Sequence, residues 1–175
     1  MISLGATREP TGKLNPAPWL SDPAPLGVMN ALSAGGADVR YVGGCVRDAI
    51  ARRPVNDIDI GTPERPEIVI QRLTDAGIKS VPTGIDHGTV TAVTEDRVFE
   101  VTTLRCDVET DGRRAVIAYT DDWIVDSSRR DFTINAMSAN RDGDVYDYHD
   151  GMADLAHGRV RFVGIAEERV REDYL

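Results

Sequence analysis

The sequence predicts one domain of mixed α/β class, and three observations predict it. The chain has 175 residues, of which 41% are hydrophobic and 28% charged, and this is enough to enclose one core. Apolar residues recur at strand spacing in some segments and at helical spacing in others. Glycine and proline separate these segments at short intervals, and no internal repeat is found.

The first half of the chain predicts helices and strands in alternation after a proline-rich tail. Residues 1–25 hold five of the nine prolines, and we expect Trp19 and Leu20 to pack this tail onto the body. The elements expected next are a helix around Leu26–Leu32 ended by Gly35 and Gly36, a strand over Asp38–Val42, a helix over Cys45–Arg53, a strand over Val55–Ile60, and a helix from Pro66 to Ala76 ended by Gly77.

The second half predicts a hairpin, a polar ribbon and a return to short strands. The elements expected are paired strands at His87–Thr94 and Arg97–Leu104, a loop or ribbon over Arg105–Tyr119, a helix over Arg129–Met137, and strands at Val145–Tyr148 and Val160–Val163. From Ile165 the apolar residues have helical spacing, so we expect a helix still under way at Leu175. The expected division is a tail over 1–25, a body over 26–163 and the start of a further helical segment over 164–175.

Composition limits the function classes. No run of about 18 apolar residues exists, which excludes a membrane-spanning helix, and two cysteines are too few for a disulfide framework. The first 25 residues lack the pattern of a secretory signal, so we expect a cytoplasmic protein. The net charge of −9 disfavours a domain that binds nucleic acid through many phosphate contacts, so any contact with RNA should be local.

Two aspartates, Asp57 and Asp59, are the leading candidates for chemistry. In the segment Asn56–Ile60 the strand period of two places both carboxylates on one face and both isoleucines on the other. Adjacent carboxylates repel each other unless a cation lies between them, and hard oxygen ligands suit Mg²⁺. Alternating acids are also common on exposed strands, so the pair is a weak signal by itself.

A glycine pair upstream strengthens this signal. Gly43 and Gly44 follow a predicted strand and open a predicted helix, an arrangement that lets the backbone approach an anion closely. Arg47 lies one turn into that helix and can reach the same phosphate. A phosphate-binding turn followed by paired carboxylates is typical of phosphoryl- or nucleotidyl-transfer sites.

Glu100 is the third candidate acid. Strand alternation places it on the face of Val98 and Thr102, opposite Phe99 and Val101. An acid on such a face is costly unless it is paired or bound to a metal. The alternative is an ordinary salt bridge to Arg105 or Arg47.

Four segments, in order, resemble a known family. Tyr41–Asp48 (YVGGCVRD) with Asn56–Ile60 (NDIDI) resembles the first motif of the class II tRNA nucleotidyltransferases, or CCA-adding enzymes, and of bacterial poly(A) polymerases. Arg129–Met137 (RRDFTINAM) resembles the second motif, Asp147–Leu155 (DYHDGMADL) the third, and Glu172–Leu175 (EDYL) the beginning of the fourth.

The resemblance implies a fold and a reaction. The fold would be the nucleotidyltransferase palm of the catalytic head, a small mixed β-sheet with helices packed on one side, continued by a helical neck. The reaction would add C and A from CTP and ATP to the tRNA 3′ end without a nucleic-acid template, releasing pyrophosphate. Asp57 and Asp59 would bind the catalytic Mg²⁺ ions, and Glu100 would complete the acids of the site.

The resemblance also implies the residues that bind the nucleotide, with Asp131 on the ribose hydroxyls and Glu172 and Asp173 in a template for the base. The nucleotide-binding residues would be Gly43, Gly44, Arg47, Arg130, Asp131, Asn135 and Asp173.

The chain departs from the family pattern in two places. In the third motif Gly151 is followed by Met152, where a second glycine is usual. In the fourth motif, the arginine that pairs with the template aspartate would fall one position past Leu175. Two alternatives therefore stay open: a poly(A) polymerase, and a fragment that binds nucleotide but needs a missing carboxyl-terminal segment or a second chain for activity.

Overall fold

The computed structural model describes residues 9–108 and 116–166, and the predicted mixed α/β class is confirmed. The helices are α1 (Pro23–Ser33), α2 (Gly44–Ile50), α3 (Pro66–Asp75), α4 (Trp123–Ser128) and α5 (Gly151–Ala156). The strands are β1 (Gly12–Lys13), β2 (Arg40–Val42), β3 (Asp59–Thr62), β4 (Lys79–Gly84), β5 (Thr89–Val93), β6 (Val98–Thr103), β7 (Arg105–Val108), β8 (Val116–Tyr119), β9 (Ser138–Ala139) and β10 (Asp144–Tyr146).

Within the described residues, eight strands form one sheet in the order β1-β10-β9-β2-β3-β6-β5-β4. The pair β3–β6 is parallel and the other pairs are antiparallel. Strands β7 and β8 form a separate antiparallel ribbon, as the polar segment predicted. None of the described helices is both long and apolar enough to cross a membrane.

The core lies between the sheet and the helices α1 and α3. Met29 and Leu32 of α1 and Leu73 of α3 are almost fully buried against apolar side chains of the sheet, including Ile60 and Val101. In β6 the alternation predicted from the sequence is confirmed, because Phe99 and Val101 are buried whereas Val98 and Glu100 are exposed. This packing holds β3 and β6 side by side, which matters for the site.

The predicted tail contributes to the fold. Gly12–Lys13 pairs with β10 at the edge of the sheet. Trp19 is buried, as expected, with its ring centroid 4.8 Å from that of Tyr41 in an edge-to-face contact. Residues 12–25 therefore cover one end of the sheet and lead into α1.

Several predicted strands are shorter or shifted. The strand predicted over Val55–Ile60 begins only at Asp59, because its partner β2 ends at Val42, where Gly43 turns into α2. The strand predicted over Val145–Tyr148 is Asp144–Tyr146, and Val160–Val163 contributes one isolated bridge from Phe162 to Phe132. Strand β4 was not predicted, because Pro82 and Gly84 interrupt its pattern.

The helix predicted over Arg129–Met137 is wrong. The helix lies earlier, at Trp123–Ser128, because the Asp122 carboxylate accepts hydrogen bonds from the N–H groups of Ile124 and Val125 and sets its start. Beyond Arg129 the chain extends so that Phe132 can pair with Phe162, and only Thr133–Asn135 forms a 3₁₀ turn. Residues 167–175, where a further helix is predicted, lie outside the described residues.

A buried arginine ties α4 to the sheet. Arg40 of β2 is 1% exposed, and its guanidinium carbon lies 4.4 Å from the centroid of the Trp123 ring and 3.6 Å from that of Tyr146. It also donates to the Asp38 carboxylate and to the Tyr148 hydroxyl. Stacking and charge pairing together stabilise a guanidinium that would be costly to bury alone.

We expect Gly151→Ala to destabilise the fold by about 3 kcal/mol, because α5 begins against backbone. A Cβ at position 151 would overlap the Thr133 carbonyl oxygen and lie 2.9 Å from its carbonyl carbon. Urea unfolding measures the change. Gly27→Ala is the control: this exposed residue of α1 has no atom within 4 Å of an added Cβ, and the variant should gain about 0.5–1 kcal/mol. Equal stability of Gly151→Ala and the unmutated chain would contradict the packing.

Candidate functional site

Three carboxylates meet where β3 and β6 run in parallel. Asp59, at the start of β3, is in register with Glu100 of β6. Asp57 precedes Asp59 on the same exposed side, because Ile58 and Ile60 between and beyond them are buried. The alternation predicted from the sequence thus holds even though Asp57 lies just outside the strand.

The carboxylates repel one another. Partial burial and the charge of Glu100 raise the pKa of Asp59 above its ordinary value, and Asp57 raises it further, while nearby Arg130 opposes these effects. Among the ion pairs of the described residues, none includes these three acids. The salt bridge considered for Glu100 with Arg47 or Arg105 does not form.

The donor set fits a hard cation that brings other ligands with it. In residues 9–108 and 116–166 no group of three or more His, Cys, Asp or Glu side chains is arranged to hold a metal ion by itself. Mg²⁺ is commonly held by one or two carboxylates and completes its shell with water and substrate phosphates. Asp57 and Asp59, uncompensated and adjacent, suit that mode of binding.

The glycine pair lies beside these acids, under two arginines. Gly43 has φ +69° and ψ −126°, a conformation that favours glycine strongly. A Cβ on Gly43 would lie 3.3 Å from Nη1 of Arg130, and one on Gly44 would lie 3.7 Å from Nη2 of Arg47. Because Gly43 has no side chain, the Arg130 guanidinium can lie close to the backbone of this turn.

A polar network joins the first and second motif segments. Arg47 donates from Nη1 to Oδ1 of Asn135 over 2.7 Å. Asn135 in turn donates from Nδ2 to the Asp131 carboxylate over 3.1 and 3.3 Å. Asp131 also accepts from the backbone N–H of Phe132. The structure therefore brings Arg47, Asn135 and Asp131 together, as the resemblance implied, and fixes their relative orientation.

One residue near the site was missed by the sequence reasoning. Asp126 of α4 is buried and accepts hydrogen bonds from Arg129 and Arg130. The available signal was an acid three and four residues before an arginine pair, a spacing that brings side chains together on a helix. Because the predicted helix began only at Arg129, Asp126 was not placed on a helix with these arginines, and the spacing was not recognised. Glu172 and Asp173, predicted to form the base template, lie outside the described residues.

Comparison with known proteins gives consistent matches over most of the chain. A model of the "Poly A polymerase head domain" matches residues 39–161. "CCA tRNA nucleotidyltransferase 1, mitochondrial" of Danio rerio is 45% identical over 139 residues, or 79% of this chain and 32% of that protein. A "CCA-adding enzyme" of Lactobacillus delbrueckii subsp. bulgaricus is 41% identical over 150 residues, or 85% of this chain and 37% of that protein.

The solved structures agree with these matches. The Bacillus stearothermophilus CCA-adding enzyme in complex with CTP has a TM-score of 0.79 and 34% identity, covering 90% of this chain and 37% of that one. The chain therefore spans about a third of the length of the curated relatives it matches.

Asp59→Asn should stabilise the metal-free protein at pH 7. A raised folded-state pKa means that ionised Asp59 opposes folding above that pKa, whereas below the unfolded-state value both states are protonated and the effect vanishes. We expect a gain of less than about 1 kcal/mol, because solvent screens the charges. It should shrink as the pH falls through the raised pKa. Thermal melting with EDTA across this range measures it, and a loss of stability at pH 7 would contradict the repulsion.

Proposed function

The chain belongs to the poly(A) polymerase head-domain family, and we propose that it is the nucleotidyl-transfer head of a CCA-adding enzyme. The reaction would transfer a nucleotide from CTP or ATP to the 3′ end of tRNA. The observation that carries the proposal is the juxtaposition of Asp59 and Glu100 across β3 and β6, with Asp57 and the Gly43 turn beside them. Two relatives that match 79% and 85% of the chain are named as a CCA tRNA nucleotidyltransferase and a CCA-adding enzyme.

The proposed reaction is an in-line displacement at phosphorus. The RNA 3′-hydroxyl oxygen forms a bond to the α-phosphorus of the nucleotide and gives its proton to solvent, while the bond from that phosphorus to the bridging oxygen of the β-phosphate breaks. Pyrophosphate leaves. Mg²⁺, held by Asp57 and Asp59, would supply charge neutralisation on the phosphates and a lower pKa for the attacking hydroxyl.

The protein's own groups would hold the substrate in place. The backbone of Gly43 and Gly44 and the guanidinium groups of Arg47 and Arg130 lie together and would contact the triphosphate as one surface. Glu100 would add a third negative charge that draws a cation to this edge of the sheet. The acids beside β3 and β6 suit the metal ion, and the arginines at the glycine turn suit the phosphates, so the site matches the charges of a metal–nucleotide complex.

Recognition of the sugar would depend on the second motif. Asp131 is exposed, and its carboxylate is oriented by Asn135 and by the N–H of Phe132. A carboxylate can accept hydrogen bonds from both ribose hydroxyls, so it would favour ribonucleotides over deoxyribonucleotides. The base template at Glu172 and Asp173 stays a prediction.

Two finer parts of the proposal concern the partner and the compartment. With a net charge of −9, the contact of this chain with tRNA should be confined to the 3′ end near the arginines of the site. Cytoplasmic location, predicted from the sequence, stays a prediction, and three matched relatives are named as mitochondrial.

A second candidate is addition of AMP to RNA 3′ ends, because the matching family model carries the name of poly(A) polymerase. The length of the product separates the two reactions. Extension of an RNA primer that stops after C, C and A supports CCA addition, whereas continued addition from ATP alone supports polyadenylation.

We expect Asp57→Asn to weaken binding of CTP in the presence of Mg²⁺ by roughly tenfold or more, because one of two carboxylate ligands loses its charge. Isothermal calorimetry measures the affinity. Asp142→Asn is the matched control, since Asp142 is an exposed acid in the β9–β10 turn, at the end of β9 away from the site. Unchanged affinity in Asp57→Asn, or no Mg²⁺-dependent binding by the folded unmutated chain, would contradict the proposal.

A further inference from the structure

A buried carboxylate behind the site joins three parts of the fold. Asp126 of α4 is 2% exposed. Its Oδ1 accepts from the backbone N–H of Arg105 and from Nε of Arg129, each over 3.1 Å. Its Oδ2 accepts from Nη2 of Arg130 over 3.3 Å. Both oxygens are therefore engaged, as a carboxylate removed from water requires.

One of these partners reaches the candidate site. Arg130 presents Nη2 to Asp126, while its Nη1 lies over Gly43, 3.3 Å from where a Cβ would be. The charge of Arg130 also lowers the pKa of Asp59, so the guanidinium is close enough to act on that carboxylate. One guanidinium thus reaches from a buried anion to the candidate site, and the hydrogen bond to that anion restrains the position of Nη2.

The second partner of Asp126 is the backbone N–H of Arg105, at the base of the β7–β8 ribbon. Arg105 is the first residue of β7, and it follows Leu104, whose N–H donates to the Thr62 carbonyl of β3. The Arg105 N–H therefore lies where the ribbon leaves the main sheet. A change in the direction of the ribbon at this point would alter the hydrogen bond to Asp126.

We propose that Asp126 is a positioning residue that orients the Arg130 guanidinium over the Gly43 turn and couples this orientation to the base of the β7–β8 ribbon. The inference rests on the proposed function in one respect, namely that Arg130 contacts the triphosphate. Asp126 would hold the Arg130 guanidinium in place before the nucleotide binds, and this would reduce the conformational entropy lost on binding.

The first test is a double-mutant cycle on CTP binding in the presence of Mg²⁺. Asp126→Asn and Arg130→Gln should each weaken binding roughly tenfold. The double variant should bind no more weakly than Arg130→Gln alone, because Asp126 acts through Arg130. If the double variant weakens CTP binding by the product of the two single effects, the inference is wrong. Asp22→Asn, which removes another aspartate paired with an arginine, here Arg97, is the control and should bind CTP normally.

The second test starts with the protein free of ligand. The Arg105 amide signal in NMR reports its hydrogen bond to Asp126. In the free protein this signal should shift in Arg130→Gln, because the remaining partners of Asp126 readjust. Adding CTP with Mg²⁺ should shift it in the unmutated chain and not in Asp126→Asn. An Arg105 amide that does not respond to Arg130→Gln would overturn the coupling.

The two tests separate the two proposals. If the unmutated chain binds no CTP, the proposed function fails, while the response of the Arg105 amide in the free protein still decides the coupling. Arg130→Gln is suited to this because Arg130 is about a quarter exposed and its loss should leave the chain folded. If Asp126→Asn does not fold, this comparison remains available.

Discussion

The mutual repulsion of carboxylates at the junction of β3 and β6 is the constraint around which the described structure is arranged. Parallel pairing places Asp59 directly beside Glu100, and the buried isoleucines on either side of Asp59 prevent it from turning away. Within the described residues these acids lack ion-pair partners, and Arg130 is the cation that lowers the pKa of Asp59. The packing of the apolar core must therefore keep β3 beside β6 against the repulsion between their carboxylates. Such local conflict with the rest of a fold is characteristic of functional sites.

The arginines near the glycine turn place positive charge beside the negative charge of these carboxylates. Arg47 is held by Asn135 and Arg130 by Asp126, so neither guanidinium depends on the strand acids for its orientation. The turn between them has no side chain, and Gly43 has a backbone conformation that other residues adopt only with strain. Preorganised donors of this kind can stabilise an anion without rearranging when it binds. The chemistry proposed for the chain follows from this division of charge.

The sequence predicted the parts of the site that depend on local geometry. Strand alternation was enough to orient Asp57, Asp59 and Glu100, because side chains two residues apart share a face whether or not the strand is complete. Helical spacing wrongly predicted a helix over the second motif, Arg129–Met137. The pairing of Phe132 with Phe162, which extends this segment, is a tertiary contact that no local period reveals. Asp126 was missed for the same reason, since its role depends on where the ribbon and α4 meet. Local patterns predict which way residues face, whereas partners distant in sequence depend on the assembled fold.

The most direct test of the account uses Mn²⁺ as a paramagnetic substitute for Mg²⁺ in NMR of the free chain. The account predicts that low Mn²⁺ concentrations broaden the amide signals of residues 57–60 and 99–101 first and leave those around Asp142 sharp. It also predicts that Asp57→Asn removes this selectivity. Broadening that follows exposed acids over the whole surface, or that persists at the strand ends in Asp57→Asn, would contradict the claim that these carboxylates form a cation site.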